Sequence, residues 1–391
     1  MKICVYAICK NEAKFLERWM NSVIDEADYI AVLDTGSTDE TFTYLENYYS
    51  NSHYSDDWNH KAKIFTDQID MIQEYGYMDF SVARNRSLSL IPLDTDICVV
   101  LDLDQIPVKG WSNIIKKRFA QGYTEVHGDI VDHDRDGKEL NRWRSRNVHP
   151  NSPFWIWTRI IHEGIEYYGK EENKIIYDSG FIINHYPDLD KDRSQYKFLL
   201  EKACELYPKD PYYGIYLGME LSRRGTRQEA AEACRKALER CDFTDKESIQ
   251  YQIYLNLALC TDDLEEAKDA VTDAFLIGIS TNIKTRRAYS IRADIYEKEG
   301  DYKEAIKVLE EALTEVQSYS SDWMDDKKYF TGDIEDRLSL LYYYKACDYL
   351  KAIEYCVKAL QYNPNNSRIN ENLKYYYTAY IKSKEITSNG K

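Results

Sequence analysis

No apolar run in this 391-residue chain approaches the about 20 residues that a helix needs to cross a bilayer, so no membrane span is expected. The opening MKICVYAICKNE is too short, and too soon interrupted by charge, for a secretory signal; it reads as a first strand. Basic residues are outnumbered, and a formal net charge of -16 excludes the cationic stripe that a nucleic-acid backbone requires. The nine cysteines include no C-x-x-C pair, and this odd scatter fits reduced thiols in a cytoplasmic protein better than a disulfide framework. Cys4, Cys9, Cys98, Cys234 and Cys260 sit in apolar or helical contexts and read as small core residues. Histidine is scarce too, with seven in the chain.

What the chain does contain is concentrated in Ile97 to Gln105, ICVVLDLDQ, where a run of apolar β-formers stops at two aspartates one residue apart. Side chains of an extended segment alternate between faces, so Asp102 and Asp104 are expected to project together while Leu103 turns into the core. Two hard carboxylates at the end of a buried strand suit a divalent cation such as Mg²⁺ or Mn²⁺, whose shell is completed by phosphate oxygens. A solvated D-x-D turn is the plain alternative, disfavoured by the apolar run before it.

The chain changes grammar near residue 188. Up to Pro187, short apolar runs (ICVYAI, YIAVLD, ICVVLD) alternate with helical stretches, one from Glu12 to Ser22 and another opening near Thr38 with Ser37 or Thr38 as its cap. This alternation predicts an α/β domain over 1–188, a mostly parallel sheet with helices on both faces. Asp34 ends YIAVLD as Asp102 ends its own strand. From 189 to 380 helix follows helix, and small residues recur at Ala230, Ala267, Ala305 and Ala352, each with a partner seven positions on. The unit RRAYSIRADIYEKEGDYKEAIKVLEEALTE places Ala293, Tyr296, Gly300, Tyr302, Ala305 and Ala312 as a tetratricopeptide repeat does. Spacings of 37, 38 and 47 exceed the usual repeat, so longer loops or helices must absorb the difference; an unstacked helical bundle is the alternative. Residues 381–391 form a polar tail.

In order along the chain, CKNEAKFLERWMNSV, VLDTGSTDET, DFSVARNRSL and VVLDLDQ resemble the family 2 glycosyltransferases of GT-A fold. The IHE triplet and the trailing repeats narrow the resemblance to bacterial enzymes of the group that includes the sublancin S-glycosyltransferase. It implies a metal-dependent, inverting transfer from a UDP-sugar to a protein, peptide or saccharide acceptor. It also implies Mn²⁺ or Mg²⁺ on Asp104 and Asp102, with Asp102 shared with the ribose and His185 closing the metal site. Asp34 is placed at the uracil, and Asn11 and Glu12 line the same cleft. Asp79, Arg84 and Asn85 form a second nucleotide-contacting segment, with Arg84 suited to the pyrophosphate. Glu163 and His162 compete as the base that takes the acceptor proton.

The residues themselves leave other readings open. Asp79 serves equally as a helix N-cap, and His185 as a structural hydrogen bonder. Arg144 and Arg146 read as phosphate neutralisers or as a solvated strand edge. Asn51 to Gly76 is long and polar enough for a lid or an acceptor-facing loop. GDIVDHDRDGKE resembles a calcium loop but has Trp143 where the twelfth-position glutamate belongs, so it reads as a polar hairpin or loop. Tetratricopeptide grooves fit a peptide acceptor or a homodimer contact, while Tyr296, Tyr302, Tyr343 and Tyr349 occupy packing positions. A non-catalytic nucleotide- or glycan-sensing scaffold with partner-binding repeats is the competing account. A nucleotidyltransferase is disfavoured because no glycine-rich, basic phosphate loop lies near the N-terminus.

Overall fold

A computed structural model describes residues 1–188, 190–191, 194–319 and 325–389, the side chains of 385–389 excepted. The chain divides into two compact units, Met1–Leu199 and Leu200–Lys391. The boundary expected at 188/189 falls beside residue 189, which lies outside the described residues.

The first unit begins β1 (Ile3–Cys9), α1 (Ala13–Val23), β2 (Tyr29–Asp34), α2 (Thr41–Tyr54), β3 (Lys63–Gln68), α3 (Met71–Tyr75), α4 (Phe80–Leu88) and β4 (Ile97–Val100). It continues through β5 (Gln105–Pro107), α5 (Trp111–Ala120), β6 (Glu125–His133), β7 (Glu139–Arg144), β8 (Val148–Pro150), β9 (Trp155–Thr158), β10 (Gly164–Tyr167) and β11 (Ile175–His185). Among the described residues, nine strands form one sheet in the order β3-β2-β1-β4-β8-β6-β11-β5, with β7 paired to β6. The first four are parallel; β8 then runs antiparallel to β4 and to β6, so the sheet is mixed rather than mostly parallel. The apolar runs mark β1, β2 and β4, whose faces are both buried; β6 and β11 also pair with each other in parallel but carry polar residues, and β7, antiparallel to β6, is largely exposed.

Alternation along β1 supplies both faces. Ile3, Val5 and Ala7 pack against Leu16, Trp19, Met20 and Trp111 of α1 and α5, each fully buried Ile, Val, Leu or Met side chain worth about 1.5–3 kcal/mol. Cys4 and Tyr6 face the other way, onto α4 and the β9–β10 hairpin, where Trp155, Trp157 and Ile165 close a second core. The segment 51–76 is neither lid nor free loop. It contributes the end of α2, the edge strand β3 paired in parallel with β2, and α3. Asp134 to Lys138 turns the β6–β7 hairpin, with Asp134 Oδ1 accepting from the Asp136 and Lys138 amides.

The second unit is helical. α6 (Gln195–Leu206) is followed by α7 (Pro211–Arg224), α8 (Arg227–Arg240), α9 (Glu247–Cys260), α10 (Leu264–Thr281), α11 (Arg286–Glu299), α12 (Tyr302–Glu315), α13 (Asp333–Leu341), α14 (Tyr349–Tyr362) and α15 (Ser367–Asn389). Each marker alanine is the fourth residue of α8, α10, α12 or α14, and all four are buried. The residue before each of these helices, Thr226, Asp263, Asp301 or Asp348, accepts a backbone N–H of the first turn and so caps it. α10 holds 18 residues where α12 holds 14, which accounts for the 38-residue spacing. The 47-residue spacing contains the connection from Val316 to Gly332, part of which lies outside the described residues. The polar stretch after residue 380 continues α15 as far as Asn389.

Candidate functional site

The chain runs from β1 out to β2 and β3 on one side, then returns to β4 on the other side of β1. The carboxyl ends of β1 and β4 are therefore a topological switch point, where open α/β sheets form a ligand crevice. Asn11 and Glu12 follow β1 there, and Asp102 and Asp104 follow β4. The aspartates do not lie on an extended segment as expected. β4 ends at Val100, and Gln105 N donates to Asp102 O at 2.8 Å, which closes a turn. Leu103 is nonetheless fully buried, so it anchors the turn while both carboxylates stay partly exposed.

Arg84 organises one side of this turn. Its Nη2 lies 2.8 Å from Asp102 Oδ1 and its Nε 2.9 Å from Glu163 Oε1, and the guanidinium stacks 5.0 Å from the Trp157 ring centre. Burial alone would lower its pKa, but the two carboxylates raise it. Nη1 is buried and has no hydrogen-bond partner among the described residues. Beside this group opens a cavity of about 310 Å³ lined by Arg84, Asp102 and Glu163 and walled by Val100, Trp157 and Ile165. Asn85 clamps the cavity wall to α4, since its Nδ2 donates to Trp157 O at 2.8 Å and its Oδ1 accepts from Trp157 N at 2.9 Å.

On the other side, Asp104 Oδ2 lies 3.3 Å from His185 Nε2, and His185 Nδ1 lies 2.6 Å from Asp132 Oδ1. Burial opposes a charge on His185, but hydrogen bonds to both carboxylates outweigh it and raise the pKa to about 9. Glu12 is paired with Lys191 Nζ at 2.7 Å. Its burial pushes the carboxyl up to about 7; Lys191 opposes the shift, and the charges of Asp104 and Asp102 add to it.

These positions revise several expectations. Asp34 is fully buried, and its Oδ1 accepts from Gly36 N, Ser37 N and Gln68 Nε2, so it closes the turn after β2 instead of presenting a carboxylate to a base. Asn11 takes a left-handed conformation and bridges the loops after β1 and β2, its Oδ1 accepting from Thr38 N at 2.7 Å and its amide donating to Ser37 Oγ at 2.8 Å. Ser37 and Thr38 serve that bridge rather than capping α2, which begins at Thr41 after Asp39 has accepted the Thr41 amide. Asp79 caps α4, accepting from Val82 N at 3.0 Å. His162 is exposed with φ +53 and lies edge-on to Tyr196, while its neighbour Glu163 lines the cavity. Arg144 stacks on Tyr177, and Arg146 pairs with Glu125 and lines the cavity. Lys191 and Asp132 were missed. Lys191 lies in no recognisable motif and Asp132 reads only as part of the calcium-loop-like run; the pairing of β11 with β6 and the turn beyond it bring them near the site.

A divalent cation fits part of this donor set. Asp102 and Asp104 offer the hard oxygens Mg²⁺ takes, and Mg²⁺ needs only one or two carboxylates beside ligand phosphates. His185 Nδ1 lies against Asp132, which leaves Nε2, 3.3 Å from Asp104, as the nitrogen that would reach a cation held there. Among the described residues no three His, Cys, Asp or Glu side chains gather into a metal-binding group. A cation here would draw the rest of its shell from its ligand.

Residues 286–317 match the tetratricopeptide repeat family. That segment, α11 with α12, is a tetratricopeptide repeat. Solved structures similar to this chain include TTC0263, a tetratricopeptide protein of Thermus thermophilus, at 20% identity over 48% of this chain and 90% of that one, with a TM-score of 0.32. MamA is 18% identical over 47% of this chain and 99% of its own, with a TM-score of 0.35. YrrB, described as a tetratricopeptide protein with an unusual peptide-binding site, is 17% identical over 48% of this chain and 85% of its own, with a TM-score of 0.36. No curated protein matches the chain. Among the described residues no helix is long and apolar enough to cross a membrane.

Proposed function

We propose that the first unit is a glycosyltransferase of GT-A type that uses a UDP-sugar and a divalent cation, and that the repeats receive a protein, peptide or saccharide acceptor. The observation that carries this reading is the convergence of Glu12, Asp102 and Asp104 at the switch point between β1 and β4, with Lys191 beside them. Such a cluster suits a ligand that brings its own phosphates and cation.

The chemical obstacle in sugar transfer is the charge that develops on the departing diphosphate. A cation on Asp102 and Asp104 would supply electrostatic stabilisation of that charge. Lys191, paired with Glu12 at 2.7 Å and influenced by the charges of Asp104 and Asp102, adds an ammonium beside the crevice. Arg84 fixes Asp102 and Glu163 relative to one another by holding an oxygen of each. Glu163 is the better placed of the two base candidates because it borders the cavity, and a carboxylate there can take the acceptor proton.

A second reading, a nucleotide- or glycan-sensing scaffold, draws support from the tetratricopeptide repeat, since stacked helical repeats present extended partner-binding surfaces. Calorimetry with UDP and Mg²⁺ or Mn²⁺, followed by an assay for UDP release from a panel of UDP-sugars, separates the two. A transferase binds and releases UDP from its donor, whereas a sensor binds without turnover.

A further inference from the structure

We infer that Tyr6 is a positioning residue for the crevice: its hydroxyl, oriented by His149, fixes the Trp157 indole against the Arg84 guanidinium, and Arg84 in turn fixes Asp102 for the cation; this deepens the transferase reading and rests on it. Tyr6 is fully buried in β1 and does not line the cavity, so its influence passes through its neighbours.

The direction of each hydrogen bond in this chain is determined. Pro150 O can only accept, so His149 Nδ1, 2.9 Å from it, carries a proton. Burial lowers the imidazole pKa to about 4, so near neutral pH the ring is uncharged and Nε2 is an acceptor. The Tyr6 hydroxyl, 2.9 Å away, therefore donates to Nε2 and offers a lone pair to the Trp157 Nε1–H at 2.9 Å. The His149 ring is held in place by stacking on Trp155, with ring centres 5.2 Å apart.

Trp157 passes the constraint on. Asn85 holds its backbone N–H and C=O, which leaves rotation of the indole as the remaining freedom, and the Tyr6 hydroxyl removes it. The fixed ring stacks on Arg84, whose Nη2 and Nε hold Asp102 and Glu163. Tyr6 also secures the turn directly, because its carbonyl accepts from Leu101 N at 3.2 Å, one residue before Asp102. Phenylalanine at position 6 would keep the ring and this backbone bond. It would leave Trp157 Nε1 and His149 Nε2 buried without partners, and an unmade buried hydrogen bond is costly enough to turn the indole. Groups behind a cation's ligands set its affinity in this way.

The test uses the full chain at pH 7 with ¹⁵N-labelled tryptophan and arginine, the Trp157 indole N–H being assigned by its loss in Trp157→Phe and the Arg84 Nε–H by its loss in Arg84→Lys. Tyr6→Phe is expected to speed exchange of the indole N–H at least ~ten-fold and to shift the Arg84 Nε–H resonance. Mn²⁺ titration with UDP present, followed by electron paramagnetic resonance, is expected to show cation binding weakened at least ~three-fold by Tyr6→Phe and by Trp157→Phe. The double variant is expected to bind no more weakly than the weaker single one, because Tyr6 acts through Trp157; a purely structural loss would instead add. Unchanged indole exchange, an unmoved Arg84 resonance or additive losses overturn the inference. Should Tyr6→Phe not fold, Trp157→Phe carries the same expectation for the Arg84 resonance and for Mn²⁺. A wild-type chain that binds neither Mn²⁺ nor UDP removes the transferase reading, and the positioning chain then stands or falls on the two resonances.

Discussion

Arg84 Nη2 stands 2.8 Å from Asp102 Oδ1, joining α4 to the turn after β4 through a buried cation. The same guanidinium holds Glu163 of the β9–β10 connection at 2.9 Å, so one side chain unites three elements. Arg84→Ala leaves two carboxylates facing each other without their cation. Breaking such a pair costs about 3–5 kcal/mol when both partners are buried; with Asp102 partly exposed, a loss of about 3 kcal/mol is expected in urea denaturation.

Gly128 lies in β6 where its pairing with β11 shifts register. A Cβ there would come within 2.0 Å of the Phe181 carbonyl oxygen, which is backbone and cannot swing aside. Gly128→Ala is expected to destabilise the protein by at least ~2 kcal/mol, read as a lower urea midpoint at unchanged slope.

Two buried groups tie stability to acid pH. His149 is fully buried, and desolvation lowers its pKa from 6.5 to about 4, against the hydrogen bond to Pro150 O. A depressed folded-state pKa gives stability that is complete above pH 6.5 and is lost as pH falls toward 4, about 3 kcal/mol in all. Glu125 follows in the window from 4.5 to about 2. Burial there opposes ionisation, but hydrogen bonds from His127, Asn173 and Arg146 outweigh it. Glu12, whose burial raises its carboxyl to about 7, gains stability as pH falls over the same range, so the His149 contribution is read as a difference: between pH 7, 5.5 and 4.5 His149→Gln is expected to lose less stability on acidification than the wild type.

Asp301 caps α12 by accepting from Glu304 N at 3.1 Å. Asp301→Ala is expected to cost about 1 kcal/mol, and Asp301→Asn much less, because an asparagine oxygen can still accept; thermal unfolding compares the two.

The strands most open to reading in the sequence were those buried on both faces. ICVYAI, YIAVLD and ICVVLD became Ile3–Cys9, Tyr29–Asp34 and Ile97–Val100. The repeat register was equally legible, because an alanine in the first turn of each second helix reflects close helix packing. β3 was not, since KIFTDQ is a half-buried edge strand with no apolar run. At the site, the strand-end pattern identified Asp102 and Asp104 and the family resemblance added Arg84 and Glu163, which the fold brings to one region. It could not foretell how each oxygen is used. Asp34 and Asp79 carry the right chemistry, yet local backbone amides claim them; His185 is held between Asp104 and Asp132, a pairing set by the β6–β11 register.

UDP release from a panel of UDP-sugars, with Mg²⁺ or Mn²⁺ and with chelator, bears most directly on the role given to the β1–β4 switch point. Cation-dependent release is predicted for the wild-type chain, and none for Asp104→Ala that retains its fold. Release unchanged by Asp104→Ala, or absent from the wild type with every donor and both metals, would contradict that role.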